Sequence, residues 1–252
     1  MTVTKVRDIL ILRICSYSQK SAERGLLAME KKSTSKFSAF RSAFMEVVQE
    51  AWQSRNTPFK IKRIGNGLAI IGYKNSLLPR IEIPGEINGL PVHTIAARAF
   101  VNCPFLEEVR IADGVEVIEP NAFSSCMHLT KVFMGDSVSV IGRNAFFECK
   151  YLYCVELSPS LKEIDNRAFY GCTGLRDIDL PDGVERIGDQ AFYGCTKLKS
   201  IHIPLALNQI HRSVFENCHF LDYIFIEKGS YADQVFSESE YYRRKLRYIP
   251  RI

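Results

Sequence analysis

A cysteine returns every 23 residues through the middle of this 252-residue chain, at Cys103, Cys126, Cys149, Cys172, Cys195 and Cys218. Other columns keep the same step. Leu106, Leu129, Leu152, Leu175, Leu198 and Leu221 form one, and Val109, Val132, Val155, Ile178, Ile201 and Ile224 another. Ile111, Met134, Leu157, Leu180, Ile203 and Ile226 form a third, and Ile95, Ile118, Ile141, Ile164, Ile187 and Ile210 a fourth. An aromatic column runs Phe100, Phe123, Phe146, Phe169, Phe192 and Phe215, preceded by Ala in every copy but the last, where Val214 stands. One such unit cannot bury its apolar face alone, whereas stacked units share a continuous core. The period therefore dictates a solenoid.

Within a unit, Leu175–Leu180 ends with Ile178 and Leu180 alternating with Asp177 and Asp179, the pattern of a short strand. Asp-Gly or Asp-Ser turns follow at Asp113-Gly114, Asp136-Ser137 and Asp182-Gly183. Ala191, Phe192 and Cys195 then fall on one side of a short helical turn. If neighbouring turns pack at the helix spacing of about 8–10 Å, the column cysteines exceed the roughly 7 Å Cα reach of a disulfide. The column then consists of buried free thiols acting as small hydrophobes. Cys15 and Cys154 lie off it, and no C-x-x-C pair suggests a zinc site.

The unit L-x-x-V-x-L-P-x-x-V-x-x-I-x-x-x-A-F-x-x-C resembles the leucine-rich repeat of the bacterial surface-antigen, or BspA-like, type. Ile70-Ile71-Gly72-Tyr73, the widened unit Ile83–Val92 and the segment Ile226–Asp233 resemble the first and last coils of such domains, so the likeness covers roughly residues 58–250. It implies an α/β repeat fold: a right-handed solenoid with a parallel β-sheet on the concave face and short helices or turns on the convex side. It also implies a binding or adhesion module. Many relatives are secreted, and this chain departs from them in showing no recognisable signal peptide: Arg13 breaks the apolar run Ile9–Leu12. No stretch has the ~18 apolar residues of a membrane span, so a cytoplasmic location is expected, with the cell surface as the alternative.

Charge is unevenly placed. Residues 1–63 hold 13 Lys/Arg against 5 Asp/Glu, residues 80–240 hold 14 against 23, and Arg243, Arg244, Lys245, Arg247 and Arg251 make the tail basic. An acidic array speaks against a nucleic-acid groove on its face; a binder of nucleic acid or anionic surfaces would have to use the basic ends. Residues 1–36 carry no apolar periodicity and are expected to be disordered. The purine-rich codons implied by Glu23-Arg24-Gly25 suggest a start at Met29. Residues 37–57 contain an amphipathic helix with Phe37, Phe40, Phe44, Val47, Val48 and Ala51 on one stripe. It is read as a cap on the open end of the array, with a membrane-surface role as the alternative. Phe59–Arg63 and Leu68–Tyr73 around Gly65-Asn66-Gly67 read as a hairpin, and Tyr231–Arg247 as a short polar helix with a basic tail.

No nucleotide-binding, zinc-protease or serine-hydrolase motif is present. The five histidines fall singly in variable positions, so no enzyme, cofactor or small-molecule substrate is indicated. What remains is a scaffold that binds a protein partner on its strand face, or a surface adhesin of the same repeat type. In L-x-x-V-x-I the third and fifth residues leave the core. They supply the candidate binding residues Arg80, Glu82, Glu108, Arg110, Lys131, Phe133, Glu156, Asp177, Asp179, His202, Tyr223 and Phe225. Seven such strands would form one sheet about 29 Å long at ~4.8 Å per strand. Glu82 would oppose Arg110, Glu108 would oppose Lys131, and Glu156 and Asp179 would be adjacent like charges. Phe147, Tyr170 and Tyr193 would form an aromatic row on the other side, read as inter-coil packing rather than a second binding surface.

Overall fold

A computed structural model describes residues 57–74 and 78–250. The expected disordered segment, the start at Met29 and the amphipathic helix lie outside the described residues. The chain divides into two compact units, Met1–Ile61 and Lys62–Ile252. The second is a β-solenoid of about eight turns.

Two strand columns run along the array. The V-x-x-I column forms the longest sheet. It begins with Phe59–Ile64 and Gly67–Tyr73, continues through Leu90–Ile95, Val117–Ile118, Val140–Ile141, Glu163–Ile164 and Arg186–Ile187, and ends at Gln209–Ile210. From Leu90–Ile95 onward each strand pairs in parallel with the strand 23 residues away, so Ile95, Ile118, Ile141, Ile164, Ile187 and Ile210 stand in line. The L-x-x-V-x-I column makes a four-stranded parallel sheet of Arg80–Ile83, Glu108–Ile111, Lys131–Met134 and Cys154–Glu156. After a gap it resumes as Ser200–His202, Tyr223–Glu227 and Leu246–Ile249.

The third side of each coil is not helical, apart from the single 3-10 turn Arg212–Phe215. Its backbone also bonds from coil to coil: Phe100 N donates to Ala122 O, Phe123 N to Ala145 O, Phe146 N to Ala168 O and Phe169 N to Ala191 O, each at 2.8 Å. A helix satisfies its own peptide groups and holds neighbours about 8–10 Å apart. Here the groups reach the next coil, and the spacing falls to the β value. Phe100, Phe123, Phe146, Phe169 and Phe192 accordingly stack with centroids 5.0–5.3 Å apart and planes within 8°. The helical spacing expected from sequence is therefore corrected.

The correction changes the role of the cysteines. At this spacing Cα distance alone no longer forbids bridging, yet the seven described cysteines are free thiols. Each buried one donates its S–H to the carbonyl of the phenylalanine one coil back. Cys126 reaches Phe100 O at 3.0 Å, Cys149 Phe123 O at 3.2 Å and Cys172 Phe146 O at 3.2 Å. Cys195 reaches Phe169 O at 3.3 Å and Cys218 Phe192 O at 3.1 Å. The thiol fills core volume and also satisfies a buried carbonyl, which Ala would leave without that donor.

Two left-handed residues bracket each Ala-Phe segment and turn the chain at this side. One column is Arg98, Asn121, Asn144, Arg167 and Gln190; the other is Asn102, Ser125, Glu148, Gly171, Gly194 and Asn217, all with φ between 54° and 71°. At the C-terminal end the stack is closed by the helix α1, Tyr231–Ser237, with Ser230 as its N-cap accepting from Asp233 N at 3.2 Å. Its Phe236 is fully buried and packs 6.0 Å from Phe215. The short helix α2, Glu240–Arg243, adds buried Tyr242, whose hydroxyl donates to Arg212 O at 2.6 Å. The sequence reading of one polar helix here is corrected to two short helices and a final strand, Leu246–Ile249.

Candidate functional site

The L-x-x-V-x-I face is built by alternation. Val109, Val132, Ile178, Ile201 and Ile224 turn inward and are buried, which sends the residues on either side outward. Arg80, Glu82, Arg110, Glu156, Asp177, Asp179, His202 and Tyr223 are exposed, and Glu108, Lys131, Phe133 and Phe225 are half-buried.

The N-terminal part of the face is internally paired. Register places Glu82 beside Arg110, Arg110 beside Phe133, and Glu108 beside Lys131. The ion pair that forms is along one strand: Arg110 Nε lies 2.9 Å from Glu108 Oε1. The same guanidinium covers the Phe133 ring at 4.1 Å from its centroid, a cation–π contact. The C-terminal part is also aromatic and basic. Tyr223 and Phe225 lie 6.2 Å apart, and Arg247, on the strand that sequence reading missed, sits 4.9 Å from the Tyr223 centroid.

Between these parts the sheet opens, and the expected seven-stranded sheet is corrected to two sheets. Residues 175–180 form no strand, and their one ladder bond to the next coil is Lys199 N to Arg176 O at 3.2 Å. Val155 and Leu157 on the near edge are half-exposed, unlike their fully buried column mates Val109, Val132, Ile224 and Ile226. Two physical differences mark this coil. Continuing the register would put Glu156 beside Asp179, a like-charge contact costing about 1 kcal/mol at ~5 Å even in water. That is the net worth of a typical hydrogen bond. Gly174 also lets the incoming chain press so close that a Cβ there would meet Lys150 O at 2.9 Å and Leu152 O at 3.0 Å. Glu156, Asp177 and Asp179 make no ion pair among the described residues, so the opening carries three uncompensated carboxylates between two aromatic flanks.

Cys154 and His202 belong to different sheets. Among the described residues one Ser–His–Asp cluster exists, with His211 Nδ1 2.7 Å from Ser213 Oγ and 3.0 Å from Asp189 Oδ1, and the Ser213 hydroxyl donating to Asp189. Both contacts use the same ring nitrogen. A relay needs the imidazole between carboxylate and hydroxyl, so this cluster is the N-cap of the Arg212–Phe215 turn, where His211 also accepts from Ser213 N. No group of three or more metal-ligating side chains occurs among the described residues. On the opposite side Phe147, Tyr170 and Tyr193 are half-buried and stacked at 5.0 and 4.6 Å, which is the packing role expected of them.

Six consecutive copies of the BspA type leucine rich repeat region match residues 93–222. The chain belongs to this family. The BspA-type array is similar to a leucine-rich repeat protein of T. pallidum, at 26% identity and TM-score 0.50, over 67% of this chain and 69% of that one. It is similar to a leucine-rich repeat protein of Bacteroides ovatus, at 29% identity and TM-score 0.61, over 68% of this chain and 46% of that one. A leucine rich cell surface protein of Faecalibacterium prausnitzii matches at 28% identity and TM-score 0.56, over 67% of this chain and 53% of that one. The BspA-type array thus spans about half the length of the latter two. No curated protein matches the chain. No helix among the described residues is long and apolar enough to cross a membrane.

Proposed function

We propose that this BspA-type array is a non-enzymatic scaffold that binds a protein partner across its strand face. The observation that supports it is the opening at Glu156, Asp177 and Asp179. Three exposed carboxylates without an ion-pair partner among the described residues line the break between the two sheets of this face. Flanking Phe133, Tyr223 and Phe225 offer the aromatic anchors that concentrate binding energy, and the carboxylates select a partner bearing Lys or Arg. The face is divided into a four-stranded and a three-stranded sheet of short strands, a smaller flat surface than the ~800 Å² per partner of a standard interface. The partner therefore also touches the loops at the strand ends.

Replacing Glu156, Asp177 and Asp179 together by Gln, Asn and Asn is expected to raise the denaturation midpoint, because the repulsion disappears, and to weaken capture of a Lys/Arg-bearing partner at least tenfold. Unchanged capture with raised stability would reduce the cluster to a tolerated surface feature. A cell-surface location is the reading favoured by the likeness to the F. prausnitzii surface protein; the cytoplasmic expectation has no comparable support. Protease treatment of intact cells should remove the array, and full protection would return it to the cell interior.

A further inference from the structure

Among the described residues, nothing covers the outward face of the C-terminal sheet. Its fifth-position row runs Asp179, His202, Phe225 and Arg247, with His202 registered on Phe225 and Phe225 on Arg247. In the neighbouring row Ser200 is registered on Tyr223. Tyr223 is 45% exposed, Phe225 is half-buried, and Arg247 is exposed. The Arg247 guanidinium lies over the Tyr223 ring and donates to Leu246 O at 2.8 Å and Arg244 O at 3.2 Å, with no carboxylate partner among the described residues. Two aromatic rings beside an arginine have the composition of an interface centre. Three coils earlier, about 14 Å away at ~4.8 Å per coil, Asp177 and Asp179 are exposed and equally unpaired. One face thus carries both halves of a charge-complementary contact.

We propose that a second copy of the chain docks on this surface, face to face, about a twofold axis that runs parallel to the strands and passes between Ser200–His202 and Tyr223–Glu227. The proposal rests on the reading of the strand face as a protein-binding surface and names the partner. Such an axis reverses the order of the coils and keeps each residue's place along its strand. Asp179 therefore meets Arg247 of the second copy, His202 meets its Phe225, and Ser200 meets its Tyr223. Every contact occurs twice, as an isologous interface requires.

The charges select this axis over its alternatives. A twofold along the array would keep the coil order and lay the carboxylates of one copy on those of the other. An axis through residues 175–180 would set Asp179 against itself. Moving the axis one and a half coils toward the C-terminal end replaces those repulsions with two Asp179–Arg247 attractions and covers the Tyr223 ring. Complementary charges fix register and partner choice more than affinity, and a single exposed pair contributes little. Few coils take part, so the contact falls at the small end of protein interfaces and the dimer is reversible.

Analytical ultracentrifugation of the full chain up to about 1 mM should show a monomer–dimer equilibrium that weakens as salt rises. Asp179→Arg places like charges at both contacts, and so does Arg247→Asp; each should weaken the dimer at least about tenfold. An equimolar mixture of the two variants should recover association as a heterodimer, because both contacts then join opposite charges. The doubly exchanged chain should recover the homodimer. Both positions are exposed, and the rescue itself reports that each variant is folded. A chain that stays monomeric throughout, a dimer indifferent to both reversals, or reversals that mixing does not rescue would overturn the proposal. A monomer whose capture of a Lys/Arg-bearing partner still depends on Glu156, Asp177 and Asp179 would end it and leave the strand-face reading standing. Loss of that dependence as well would end both.

Discussion

Replacing Phe146 by alanine should lower the stability of the array by about 3–5 kcal/mol, the usual cost of truncating a fully buried phenylalanine. Phe146 has no exposed surface and lies between Phe123 and Phe169, at 5.3 and 5.2 Å and with its ring nearly parallel to both. Its loss removes two stacking contacts, and the vacancy cannot collapse easily. The backbone on either side is tied to neighbouring coils, with Phe146 N on Ala168 O and its own carbonyl accepting the Cys172 thiol. In a stack of nearest-neighbour interfaces the damage spreads to both adjacent coils. Hydrogen exchange should therefore quicken across coils 123–172 while the terminal coils change least. Phe147→Ala, at the half-buried neighbouring position, should cost clearly less. A Phe146→Ala variant that melts within a degree of wild type would overturn the assignment of this column to the core.

Phe146 was legible because the period placed it. A strict 23-residue step specifies which residues stack, and the parallel registers Arg110↔Phe133, Lys131↔Cys154 and His202↔Phe225 fall where that step puts them. The third side was misread because Ala-Phe-x-x-Cys has the spacing of one helical turn, and apolar spacing does not say where the backbone hydrogen bonds go. Its left-handed residues did leave a trace. Asn102, Gly171, Gly194 and Asn217 share one column and are the types that tolerate such backbone, but Glu148 and Arg167 at equivalent corners disguised the rule. The final strand escaped because Leu246 pairs with Ile224 at a step of 22 through two helices, off the period. Of the candidate site, the outward positions were readable from alternation. The opening at Asp177 and Asp179 required knowing that adjacent carboxylates and the close approach at Gly174 interrupt a ladder which the repeat alone would have continued.

The same ladder of thiols should make the fold steeply sensitive to alkali. Burial holds Cys149 and Cys218 up at about 12 and Cys172 and Cys195 well above the ordinary 9.0, while the Cys103 contact and burial together raise Cys126. Well below the ordinary thiol value all five are neutral in both folded and unfolded chains, so they contribute no pH dependence there. Above it the unfolded chain releases these protons and the folded chain retains them, so stability must fall as pH rises. Each thiol costs up to about 1.4 kcal/mol per pH unit in that window, and five together approach about 7 kcal/mol per unit. A domain holds only about 5–15 kcal/mol in total, so the array should unfold within about one to two units above the ordinary thiol value. Denaturant titrations at half-unit steps from pH 7 to 11 would show a plateau followed by this collapse. Cys195→Ala should lower stability throughout by removing the donor to Phe169 O, yet reduce the alkaline slope by about one fifth, since one titrating group is gone. A stability that stays level between pH 9 and 11 would mean that the column thiols are not held protonated in the core.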